Sequence, residues 1–175
     1  MGAKERREAI ITQLKNNKQQ ITGSDLATML SVSRQVIVQD IAILRAKGHR
    51  IIATPQGYML LAEDTGRSLK RTFACCHKKN NTEKELNIFV DCGGIVEDVI
   101  VEHPIYGQIS GTLMLKSRTD VSAFCRKIFE GEATLLSSLT GGVHLHTIKA
   151  EKEEVFDFIE KKLRDADILL DQGLD

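Results

Sequence analysis

Between Ser31 and Gly48 the chain sets a tight polar turn, Ser31-Val32-Ser33, directly before a stretch in which Ile37, Ile41 and Leu44 recur at i, i+4 and i+7. That spacing makes one buried helical stripe, with Val36 beside it, and Ser33 is placed to cap the helix while Gly48 ends it just past Lys47. Upstream, Leu26, Ala27, Met29 and Leu30 follow Ser24, a candidate N-cap, and predict a short second helix. Ala9, Ile10, Ile11 and Leu14 give a first helix over Ala3 to Asn17 a single apolar stripe. Val32 can plug the core from this tight turn. The pattern fits a helix-turn-helix, and any three-helix core shares its periodicity.

The face of the third helix away from the stripe carries Arg34, Gln35, Val38, Gln39 and Ala42. Glutamine pairs bidentately with adenine and an apolar side chain touches a thymine methyl, so an exposed valine between two glutamines suits a reader of the DNA major groove. Asp40 does not suit that face and is expected to pair with Arg45 or Arg6. His49 to Ala53 and Gly57 to Leu61 read as two short strands about Thr54-Pro55-Gln56, a wing.

A formal net charge of zero conceals an uneven distribution. Met1 to Leu61 holds nine Lys/Arg against four acids, a net of +5, and the remainder holds 15 against 20, a net of −5. A phosphate-facing module draws its binding energy from local Lys and Arg, so the basic part fits DNA and the acidic part fits another task. No apolar run approaches the ~20 residues of a membrane span. The N-terminal MGAKERREAI lacks a secretory h-region, and the expected address is the cytoplasm. Cys75, Cys76, Cys92 and Cys125 show no disulfide spacing and are expected as free thiols.

The string LATMLSVSRQVIVQDIAILRAKGHRIIATPQGYML resembles, along its length, the winged helix-turn-helix of the biotin-repressor type. It shares the Ser33-Arg34 pair, the Asp40-Ile41 and Leu44-Arg45 positions, and the Gly57-Tyr58 wing. The resemblance implies a DNA-binding domain over residues 1–62 in which Ser33, Arg34, Gln35 and Gln39 face the operator.

After a polar connection over Ala62 to Arg67 the pattern changes. Strands are expected near Arg71 to Cys76, Ile95 to Glu102, Gly107 to Leu115 and Val143 to Ile148. Helices are expected over Glu83 to Cys92, Asp120 to Glu130 and Glu151 to Arg164. This order implies an α+β domain with helices on one face of a sheet, over residues 69–175.

Four of the five histidines fall in this part. His144 and His146 stand two apart in a strand, so their rings leave the same face, to meet one ion or to form a polar solvent face. His77 and Glu85 bracket a strand-to-helix turn, and Thr82-Glu83-Lys84-Glu85 also reads as a capping box that would turn Glu85 back on the Thr82 amide. Cys75-Cys76-His77 invites a zinc site but lacks a second Cys pair, and adjacent strand cysteines point to opposite faces. His103 ends a strand, where it orients a site or satisfies a local carbonyl.

His77 with Glu85-Leu86, then DVIVEHPIYGQISGTL, then LTGGVHLHTIKA, together resemble the three-histidine, or 3H, domain. The order of the two domains is that of the NiaR-type niacin-responsive repressors of NAD biosynthesis and niacin uptake. What the resemblance implies is a divalent transition metal held by His77, Glu85, His144 and His146, with nicotinic acid as corepressor and double-stranded operator DNA as target. His49, in the wing, has no place in that site. Three imidazoles and a carboxylate suit Ni²⁺, Zn²⁺, Mn²⁺ or Fe²⁺ and disfavour Ca²⁺ and Mg²⁺, which prefer oxygen shells. One recognition helix offers few base contacts, so a homodimer is expected, held by the second domain because no heptads are present. Two alternatives stand beside this reading. One makes the metal itself the signal, and the other is a metal-dependent hydrolase with an open coordination position.

Overall fold

The computed structural model describes residues 2–17, 19–61, 68–131 and 134–170. The chain divides into two compact units, Met1–Asp64 and Thr65–Asp175. The connection expected over Ala62 to Arg67 lies outside the described residues.

In the first unit, helices α1 (Ala3–Asn16), α2 (Gly23–Met29) and α3 (Arg34–Ala46) precede the hairpin β1 (Ile51–Thr54) and β2 (Gly57–Leu60). Ile10, Leu14, Leu26, Ile37, Ile41, Leu44 and Ile51 form one core, with Val32 packed against it from the turn. The axes of α2 and α3 lie 103° apart, the crossing of a helix-turn-helix. Ser33 caps α3 by accepting from the Val36 amide at 3.3 Å. Gly48 takes φ +90° just beyond the helix.

Two details differ from the sequence expectations, and a third, the pairing of Asp40 with Arg6, is as expected with Arg7 added. The cap of α2 is Thr22, not Ser24: its backbone is extended and its hydroxyl accepts the Asp25 amide at 3.0 Å, so Ser24 falls inside the first turn. The wing is wider than a hairpin, because Ile21 forms an antiparallel bridge to Tyr58. Asp40, only 2% exposed, faces inward and takes Arg6 Nε at 2.6 Å and Arg7 Nη1 at 3.2 Å. Arg45 donates instead to the Ile51 carbonyl, tying α3 to the wing.

In the second unit, β3 (Leu69–Cys76), β4 (Ile95–His103), β5 (Gly107–Leu115) and β6 (Val143–Ala150) make one antiparallel sheet in the order β3-β6-β4-β5. Helices α4 (Thr82–Asp91), α5 (Arg118–Glu130) and α6 (Glu153–Asp165) supply Leu86, Phe89, Val121, Cys125, Phe156, Ile159 and Leu163 to the core. They meet Phe73, Val96, Leu113, Leu115 and Ile148 from alternate positions of the strands, the α+β layering expected. The β3 edge is covered near its end by the segment after α6, where Leu169 bridges Cys75. Between β4 and β6 the pairing shifts register between Val96 and Ile100, a bulge that matters for the site. No single helix among the described residues is long and apolar enough to cross a membrane.

Candidate metal centre

Strand periodicity puts His144 and His146 on the inner face of β6, and both are 3% exposed, so the pair is buried and not a solvent face. Register pairs Cys75 with His144, which brings the end of β3 alongside. The chain then turns through His77 into a short 3₁₀ segment, Lys79–Asn81, and enters α4. One helical turn in, Glu85 is 1% exposed. It does not cap: its Oε2 lies 2.6 Å from His77 Nε2 and its Oε1 lies 3.0 Å from His144 Nε2. The capping-box reading of Glu85 is therefore corrected, since its carboxylate is needed among the imidazoles. His146 Nε2 stands somewhat further off, 3.5 Å from Glu85 Oε2. Ligand atoms of His77, Glu85 and His144 all fall within 4.8 Å of one another.

The other nitrogen of each ring is tied to the backbone. His77 Nδ1 donates to the Lys78 carbonyl at 2.8 Å, His144 Nδ1 to the Gly142 carbonyl at 2.8 Å and His146 Nδ1 to the Asp98 carbonyl at 2.6 Å. A carbonyl only accepts, so all three Nδ1 atoms carry hydrogen and the Nε2 atoms must use a lone pair or an extra proton. The Asp98 carbonyl is released for this duty where the β4–β6 ladder breaks register. Gly142 sits at φ +100°, and a Cβ there would come 2.5 Å from the His77 carbonyl oxygen. The adjacent pair Gly141-Gly142, just ahead of Val143 and His144, is the sequence signal for that turn.

Burial opposes charge on Glu85. The field of His146 and hydrogen bonds from His144, His146 and His77 outweigh it and hold the carboxylate well below the ordinary range. Burial likewise lowers His77 and His146, but contact with Glu85 turns both shifts upward. Cys75 is pushed far up by burial and then by the Glu85 charge, and behaves as a neutral thiol. Without an ion, Glu85 raises His77 and His146 and so favours their protonated forms beside the buried carboxylate. A divalent transition cation satisfies His77, Glu85 and His144 with the imidazoles neutral, and His146 stands beside them, so the donor set fits such an ion.

A cavity of about 170 Å³ opens from this cluster, reaching Thr82, Val99, Leu113, Phe124 and Leu136. His103 is not among the described residues that line it, and its Nδ1 accepts the amides of Ile105 and Tyr106 at 3.2 and 3.3 Å, so that nitrogen does not donate to a carbonyl. In the first unit Ser33, Arg34, Gln35 and Gln39 are exposed on α3, while Val38 is half-buried and less open than its spacing suggested. His49 is exposed ahead of the wing.

A helix-turn-helix followed by a sheet domain with a buried histidine-carboxylate cluster is the arrangement of a DNA-binding regulator. Residues 6–59 match the family model of an HTH domain and residues 70–172 that of the 3H domain. The chain is 44% identical over 172 residues to the transcription repressor NadR of Bacillus subtilis, covering 97% of this chain and 95% of the relative. It is 43% identical over 169 residues to the probable transcription repressor NiaR of Thermotoga maritima, with the same two coverages. The chain belongs to this NadR/NiaR family of transcription repressors. The family is one of regulators and not of enzymes by name, which weighs against the hydrolase reading.

Proposed function

We propose that this chain is a cytoplasmic repressor of NAD-biosynthesis or niacin-uptake genes that needs nicotinic acid as corepressor. Its 3H domain holds one divalent transition ion on His77, Glu85, His144 and His146. The loaded protein, a homodimer, grips double-stranded operator DNA through Ser33, Arg34, Gln35, Val38 and Gln39. The observation that carries the reading is the commitment of three Nδ1 atoms to backbone carbonyls with three Nε2 atoms turned on Glu85. The cavity beside them gives a small acid room to reach the cluster. The names of the relatives NadR and NiaR support the link to NAD and niacin. The coupling required is modest, since an effector that favours the DNA-competent state ~100-fold contributes about 2.7 kcal/mol.

Operator binding measured on chelator-treated protein, with nicotinate and Zn²⁺ or Ni²⁺ added singly and together, tests this. Tight binding only with both present is the expected result. Binding restored by metal alone would make the metal the signal, and binding indifferent to both would end the switch reading.

A further inference from the structure

The end of the cavity nearest the cluster holds a polar atom that the fold leaves without work. Thr82 is 6% exposed, and among the described residues its Oγ1 is buried with no hydrogen-bond partner. A buried hydroxyl that satisfies nothing is costly and calls for an explanation. Thr82 opens α4 three residues before Glu85, so both side chains leave the same face one turn apart and line the same cavity. Asn81, at the cap position, gives α4 no side-chain cap, and the ten-residue helix presents its positive end here.

The remaining walls are largely apolar, with Val99 from β4, Leu113 from β5, Phe124 and Ile128 from α5, and Leu136, and only Thr134 and Ser137 add polar side chains to the described lining. Gly111 keeps the slot open, because a Cβ there would already touch Leu136 Cδ1 at 3.4 Å and Val99 Cγ1 at 3.5 Å. One polar end and an apolar body match a small flat ring carrying one anionic group.

We propose that Thr82 reads the effector: its hydroxyl donates to the carboxylate of a planar aromatic acid whose ring fills the slot bounded by Gly111, Val99 and Phe124. This rests on the corepressor reading above and assigns the polar contact that reading lacks. The unpaired hydroxyl is then a vacancy reserved for the ligand, and the ring selects by shape.

Calorimetric titration of nicotinate into the metal-loaded full chain tests it, with metal uptake measured in parallel. Thr82→Val is expected to bind nicotinate roughly tenfold more weakly and to take up metal as the parent does. Its effector-free Tm is expected to rise, since a methyl replaces an unpaired hydroxyl. Thr82→Ser, which restores the donor, is expected to bind as the parent does. Gly111→Val, which fills the slot, is expected to lose nicotinate and keep metal. Equal nicotinate affinity in the parent and Thr82→Val would overturn the assignment while leaving the corepressor reading intact. Loss of metal together with nicotinate in Thr82→Val would overturn it too, by making the hydroxyl a support of the ion. Absence of nicotinate binding in the parent would remove both.

Discussion

The carbonyl of Gly142 accepts the Nδ1–H of His144 at 2.8 Å, while the Gly142 α-carbon lies so near His77 that a Cβ would come 2.5 Å from its carbonyl oxygen. One glycine thus spaces two of the candidate ligands. Gly142→Ala is expected to strain a φ of +100° and push His77 aside, at about 1–3 kcal/mol. Zinc or nickel affinity should fall by at least tenfold, and unchanged affinity would show that the turn does not set the ligand spacing.

Removing a ligand should act more strongly than removing its support. Glu85→Gln leaves the three Nε2 atoms without their anion, and His144→Ala removes one of them. Both variants are expected to lose the rise in Tm that added metal gives the parent. A metal-induced shift that survives in both would place the ion elsewhere.

Protons compete with the ion for the same nitrogens. His77 and His146 are raised by Glu85 against the opposing effect of burial. In the ion-free protein their charged forms stabilise below the ordinary imidazole range, and that contribution is lost as pH rises through the raised values. Glu85 is depressed, so its contribution is lost only as pH falls through its own low value. Metal binding needs neutral imidazoles. The Tm increment from metal should therefore grow between about pH 6 and about pH 8. Differential scanning calorimetry at both pH values reads it, and a constant increment would contradict the proton competition.

Asp40 anchors α3 to α1 from within the first unit. Asp40→Ala strips Arg6 and Arg7 of their shared acceptor, and because both arginines retain some solvent the cost is expected at about 1–3 kcal/mol. Chemical denaturation of the winged unit should report it. Metal uptake by the 3H domain should not change.

On the proposed DNA-facing side of α3, specificity and grip are expected to separate. Gln39→Ala is expected to cost about 1–3 kcal/mol on the operator and to relax preference at one base pair. Arg34→Ala is expected to weaken binding to all sequences and lower the salt slope by about one. Binding assays across a salt series and a set of single-base operator variants tell the two apart. Equal loss on every sequence for Gln39→Ala would remove it from base readout.

Much of the fold was legible because each element declared its own period. Ile37, Ile41 and Leu44 fixed the buried side of α3, and His144 and His146 fixed the inner side of β6. Less legible was anything decided between neighbours of equal chemistry. Thr22 and Ser24 are both good caps, and only the extended backbone at Thr22 chose between them. Val38 lost part of its exposure to packing that spacing does not report. Glu85 fitted a local cap and a distant cluster equally well, and only the placement of β6 beside α4 decided for the cluster. Thr82 read as a cap and is instead the first residue of the helix, with its hydroxyl turned inward.

The three ring anchors belong to Lys78, Gly142 and Asp98, and all three use the carbonyl. Every amino acid brings that atom. Position 78 is thus free to drift through many side chains with its imidazole still aimed, while position 98 is held by its carboxylate, which accepts the Thr147 amide at 3.0 Å, and position 142 is confined by its backbone angle. A lineage could retune the charge and volume around the cluster without rebuilding its aim, and its descendants would still look alike at the three histidines.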